Sequence, residues 1–188
     1  MQPTEYPVQF AVDYPGRQLN RLTTLIRPIM ALPILAVLIA ITGWSMVLSR
    51  VLVILFRGKY PRWWFDWSLE LHRFINRVAA YLALMDDRYP STDERQSVRL
   101  AYPGTDSLSR WLPLVKWLLV IPHRLVLAIL DIAAVLVVLV AWAAILVTGV
   151  YPRGLFGFVE GVLRWHSRVT AYSLTLVTDR YPPFRLSP

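Results

Sequence analysis

The sequence predicts an all-α membrane protein made of two tandem repeats, each a short surface strand and turn, a transmembrane helix and an amphipathic helix. Three observations carry this expectation: two long runs without charge, an internal duplication, and two helical wheels that set an apolar stripe against arginines. Composition agrees, since 56% of the 188 residues are hydrophobic and only 17% charged, below the share of a soluble domain. Lys and Arg number 20 against 12 Asp and Glu, a formal charge of +8. That excess suits an anionic lipid surface better than nucleic acid, because the arginines are dispersed along apolar helices. With no cysteine, disulfides, thiolate metal ligands and cysteine nucleophiles are excluded.

The first repeat is placed at 1–93 and the second at 96–188. Each opens on a short alternating segment, Val8, Phe10 and Val12 and then Val98 and Leu100, that runs into Tyr14-Pro15-Gly16 and Tyr102-Pro103-Gly104. Alternation followed by Tyr-Pro-Gly reads as a strand and turn, and the two strands are positioned to pair across the pseudo-symmetry. The first 24 residues hold Glu5 and Asp13 and no continuous apolar core, so the first hydrophobic run is expected to be retained as an anchor.

From Pro28 to Ser49 there are 22 residues without a formal charge, and Val51 to Phe56 extend the run, giving a first span at about 28–56. The second runs from Ile132 to Val150, with apolar residues from Leu125 ahead of Asp131, giving a span at about 125–150. Asp131 is the candidate intramembrane charge, with His123 or Arg124 as expected partners; the other reading starts the span after it, near a helix N-terminus that favours an anion. Arg27 and Pro33 recur as Lys116 and Pro122.

Both spans end at a turn, Gly58-Lys59-Tyr60-Pro61-Arg62 and Gly149-Val150-Tyr151-Pro152-Arg153, where proline stops one helix and starts the next. The amphipathic helices follow at about 63–86 and 155–177. Trp67, Leu71, Phe74, Val78, Tyr81 and Met85 form one apolar stripe, and Phe158, Val162, Trp165, Val169, Tyr172 and Leu176 the other. Opposite them lie Asp66, Glu70, Arg73 and Arg77, and Glu160, Arg164 and Arg168. An arginine face against an aromatic-rich face suits a helix lying at or re-entering the interface, and also a spanning helix whose charges are sequestered in a bundle. Each repeat then closes on Asp-Arg-Tyr-Pro, at Asp87 to Pro90 and Asp179 to Pro182.

These features define the candidate site. Arg73, Arg77, Arg88, Arg164, Arg168 and Arg180 are expected to bind anionic lipid or a partner, with lipid binding and plain structural anchoring both open for the Asp-Arg-Tyr-Pro ends. Trp63, Trp64, Trp67, Tyr81, Tyr89, Trp165, Tyr172 and Tyr181 are expected as interfacial anchors. His72, His123 and His166 are far apart and make no H-x3-H pair, no phosphate loop or nucleophile elbow occurs, and neither catalytic residues, a metal nor a cofactor are expected.

The segments Tyr151 to Phe156, Arg164 to Tyr172 and Thr178 to Phe184 resemble a bacterial integral-membrane family of unknown function, through both copies. The first copy departs from it, with Trp63-Trp64 in place of Gly-Leu and Pro90-Ser91 in place of Pro-Pro. The resemblance implies a multi-pass protein of the bacterial inner membrane with a duplicated helical architecture, and no reaction. The functional expectation is a non-enzymatic accessory or scaffold subunit that binds anionic lipids and a larger membrane protein complex. A small transporter or channel formed by homo-oligomerisation is the alternative, and an enzyme acting on lipid headgroups a third.

Overall fold

A computed structural model describes residues 6–16, 18–41, 62–92, 94, 96–102, 109 and 111–188. The latter part of the first expected span, 42–61, lies outside the described residues. The described elements are β1 (Gln9–Val12), α1 (Arg21–Met30), α2 (Leu32–Ile41), α3 (Arg62–Leu82), β2 (Val98–Ala101), α4 (Leu112–Leu119), α5 (Ile121–Thr148) and α6 (Arg153–Ser173).

Two helical stretches, Arg21–Ile39 and Leu112–Thr148, are long and apolar enough to cross a membrane. They are not core helices of a soluble protein, because their apolar side chains face outward: Leu125 is 66% exposed, Ile132 67% and Val147 75%. Each stretch is broken at an equivalent point, Ala31 and Val120, two residues before Pro33 and Pro122. Proline has no N–H to return to the carbonyl four residues back, and its ring crowds that carbonyl, so the helix restarts there. The helix carrying Asp131 therefore begins at Ile121 and runs through it, which corrects the expectation of a helix N-terminus beside Asp131. It ends at Gly149, whose φ of +76° is accessible to glycine without steric cost.

The strands pair antiparallel, with Phe10 opposite Leu100 and Ala11 opposite Arg99. This joins the repeats through their own first elements. The amphipathic helices also meet through equivalent residues, Ser167 Oγ donating to Asn76 Oδ1 at 3.0 Å. Together these contacts place an approximate two-fold axis through the centre of the ladder, normal to the sheet.

Three layers result. Phe74, Val78 and Tyr81 of α3 pack on Ala31 and Ile34, and their equivalents Trp165, Val169 and Tyr172 of α6 pack on Val120 and Leu127. The apolar stripes of α3 and α6 therefore rest on the apolar helices and are buried there, while Trp67, Leu71 and Phe158 at their starts are half-buried. Their arginine faces turn the other way, under the strands. The inner strand residues Phe10, Val12, Val98 and Leu100 are buried, whereas Gln9, Ala11, Arg99 and Ala101 form an exposed outer face.

An arginine cleft between the sheet and the amphipathic helices

A spacing of four puts Arg73 and Arg77 on one face of α3, and Arg164 and Arg168 on the equivalent face of α6. Each helix then reaches across to the strand of the other repeat's register pair. Arg73 Nε donates to Leu100 O at 3.0 Å, and Arg164 Nε donates to Phe10 O at 3.0 Å. Glu70 and Glu160 complete these contacts as ion pairs with Arg73 and Arg164. Arg77 donates to Ser91 O at 2.6 Å, and Arg168 donates to the carbonyls of Arg185 and Ser187 at 3.3 and 3.0 Å.

These side chains, with Arg99 and Tyr6, line an open cleft of about 890 Å³ on the sheet side of the molecule. The Nε atoms of Arg77 and Arg168 are buried there without a hydrogen-bond partner. Burial, then the nearby Arg185 and Arg164 guanidinium groups, pushes the Arg168 pKa down. Burial likewise raises that of Tyr6, whose hydroxyl donates to Arg180 O at 3.1 Å. Five arginines line the cleft with one carboxylate side chain, Asp13, which pairs with Arg99, and Glu70 and Glu160 pair with Arg73 and Arg164, so cationic groups are in excess in a partly desolvated place.

In the Asp-Arg-Tyr-Pro ends each aspartate pairs with a cation from the first helix of its own repeat. Asp87 takes the buried Arg27, which also donates to Tyr81 O and Asp86 O at 3.1 and 3.0 Å and lies 4.7 Å from the centre of the Tyr81 ring. Asp179 takes the buried Lys116 at 2.7 Å, and the ammonium also donates to Thr178 O and lies 4.8 Å from the centre of the Tyr172 ring. The other carboxylate oxygen of each accepts a backbone N–H just ahead of the first helix, from Asn20 and from Ser109. The sequence signal for these two clamps is the recurrence of Arg27 as Lys116. Arg88 and Arg180 are left exposed beside them.

Of the expected anchors, Trp63 is exposed and stacks on Trp64, Trp67 is half-buried, and Tyr89 and Tyr181 are exposed at the helix exits. Tyr81, Trp165 and Tyr172 are instead buried: the tyrosines lie under the clamps, and Trp165 Nε1 donates to His123 Nδ1 at 3.0 Å. Asp131 pairs with His166 at 2.7 Å, and not with His123, whose ring is buried against Phe184. Among the described residues no three His, Cys, Asp or Glu side chains gather as metal ligands.

A model of one family matches the chain twice, over residues 21–92 and 110–185. The chain belongs to the family described as Domain of unknown function (DUF4389). One match falls on each repeat, from α1 to just past the first Asp-Arg-Tyr-Pro and from the start of α4 to beyond the second. The DUF4389 segments thus contain the apolar helices, the amphipathic helices and both clamp aspartates, while β1 and β2 lie outside them. No curated protein and no solved structure matches the chain.

Proposed function

We propose that this protein is a non-catalytic accessory or scaffold subunit of a bacterial inner membrane, which holds an acidic group of a larger membrane complex in its arginine cleft. Anionic lipid headgroups are taken at the exposed Arg88 and Arg180. The observation that carries the reading is the cleft: five arginines line it, and two of them bury an Nε atom with no partner. Arg73, Arg164 and Arg99 are already paired with Glu70, Glu160 and Asp13, which leaves Arg77 and Arg168 as the cations whose charge an arriving carboxylate or phosphate would neutralise. The membrane, for its part, is supported by the outward-facing apolar helices.

The test is isolation of the tagged protein from its own membranes in native nanodiscs, with mass spectrometry of proteins and lipids. R77Q combined with R99A should lose the co-purifying complex while the chain stays inserted and folded. R88A with R180A should lose anionic-lipid enrichment and keep the complex. Retention of every partner and lipid by both variants would sink the proposal. One observation favours an oligomeric transporter instead: the half-exposed Asp131–His166 pair sits within the apolar face. That reading requires solute or ion flux in proteoliposomes that D131N abolishes.

A further inference from the structure

We infer that the described helices lie in the plane of the membrane, with the apolar layer sunk into one leaflet and the sheet held in water on the same side. The inference rests on the membrane reading of the fold and is independent of what occupies the arginine cleft. Its basis is how the three layers align. β1 follows α6 along its length: Tyr6 lies by Arg168, Phe10 by Arg164, Val12 by Glu160 and Tyr14 by Phe156. In turn α6 runs back along α5, from Phe156 and Val159 near Ala141 and Ile145 to Trp165 and Tyr172 near Leu127 and Val120. Strand, amphipathic helix and apolar helix are therefore stacked side by side with their axes aligned.

Standing α5 along the membrane normal would carry the whole strand to hydrocarbon depth. The outer face of the sheet, with Gln9 and the Asp13–Arg99 pair, would then meet acyl chains, and the cleft arginines with Glu70 and Glu160 would lie mid-membrane. Each such charge costs some kcal/mol there. Length argues the same way. The exposed apolar stripe of α5 continues from Ile121 to Val147, about 40 Å of helix, against roughly 30 Å of hydrocarbon. In α4 the exposure continues through Leu114, Trp117 and Leu118, and on the other repeat through Leu22, Ile29 and Leu32 of α1 and α2.

Laid flat, the same surface faces lipid everywhere and the polar sheet faces water everywhere, with the two-fold axis along the membrane normal. Charge agrees with that placement. The exposed ionic side chains on these apolar helices are Arg21, Arg124 and Asp131, the last 49% exposed but paired with His166, and Arg88 and Arg180 stand exposed where the clamps join α1 and α4. The occupant of the apolar face is thus one leaflet containing anionic lipid.

The cysteine-free sequence makes the test direct. Nitroxide labels are placed one at a time on I121C, L136C and V147C of α5 and on Q9C and A101C of the sheet, in vesicles of phosphatidylethanolamine and phosphatidylglycerol. Depth is read from relaxation by oxygen against a water-soluble nickel chelate, with circular dichroism confirming the fold of each variant. The three α5 labels should report one common depth within a single leaflet, and both sheet labels should be open to nickel. A profile deepest at L136C and rising to water at I121C and V147C would overturn the inference while leaving the membrane reading intact. Nickel access at all three α5 positions would overturn both. Shielding of the α5 labels from oxygen and nickel alike would mean that a second copy, not lipid, covers the face, and would also overturn it.

Discussion

The two repeats solve one problem with different cations. Arg27 and Lys116 occupy equivalent places, each buried, each held by the aspartate of Asp-Arg-Tyr-Pro and each against a tyrosine ring, Tyr81 or Tyr172. What recurs is geometry: a cation from the first helix meets a carboxylate just beyond the end of the last, and so closes each repeat on itself. The difference is in how completely each is closed. Arg27 makes two carbonyl bonds besides its carboxylate, and Asp87 is 10% exposed; Lys116 makes one, and Asp179 is 24% exposed. The first clamp is the drier and more fully bonded one, so the repeats should respond unequally to the same cut.

Removing an aspartate tests this most severely. D87A strands a guanidinium inside the protein, and breaking a buried pair in that way costs about 3–5 kcal/mol. D179A should cost less, because water reaches that carboxylate more easily. Thermal unfolding of the detergent-solubilised protein should rank wild type above D179A above D87A. Equal losses would show that the exposure difference carries no energetic weight. A swap sharpens the point: K116R should be tolerated better than R27K, since lysine cannot span both carbonyls and the carboxylate that Arg27 serves.

A second contrast belongs to α6. A Cβ added at Gly161 would lie 2.9 Å from Leu186 Cβ and 3.2 Å from Leu186 O, where the C-terminal tail crosses the helix. Gly154 and Gly157 have open space around them. G161A should therefore destabilise by roughly 1–3 kcal/mol through overpacking. G154A and G157A should be neutral or gain up to about 1 kcal/mol from helix propensity. The same melts in detergent decide it, and a harmless G161A would show that the tail is not seated on α6.

How much of this was legible in the sequence follows the same division between local and distant. The duplication, the second apolar run and the two wheels are repeating or periodic signals, and among the described residues each appears as repeat or helix. What covers a face is not local information. The arginine stripe of α6 reads identically whether phosphates or a strand lie above it, and only the strand register shows that Phe10 O and Leu100 O are the acceptors. Trp165, Tyr81 and Tyr172 misled for a related reason, since an amphipathic ring suits a headgroup layer and a cation or histidine inside the fold equally well. For Asp131 the sequence leaves two readings, an intramembrane charge partnered by His123 or Arg124 or a residue at the helix start; the helix runs through it and His166 supplies the partner. The breaks at Ala31 and Val120 were within reach, because Pro33 and Pro122 mark both.

A smaller effect is read out by alkaline pH. Tyr6 and Tyr151 are buried phenols whose pKa values are raised by desolvation above the ordinary value of 10.0. The folded state holds them protonated, so their contribution is intact below that value and fades as pH rises through the range where the unfolded chain ionises. Stability should fall above about pH 10. Y6F should lose about 1 kcal/mol at neutral pH with its hydrogen bond to Arg180 O, yet show a shallower alkaline decline. An unchanged alkaline slope in Y6F would mean that Tyr6 ionises freely in the folded protein.

The smallest expected change is on the outer face of the sheet, where Arg99 and Asp13 pair at 2.8 Å with side chains 73% and 49% exposed. A solvent-screened pair of this kind contributes at most about 1 kcal/mol. R99A should melt close to wild type, and the difference should vanish in molar salt. Because Arg99 also lines the cleft, this variant separates the proposed recognition from folding: a lost partner with an unchanged melt would support the proposed anion site. A melt lowered as far as that of D179A would instead place Arg99 among the residues that hold the repeats together.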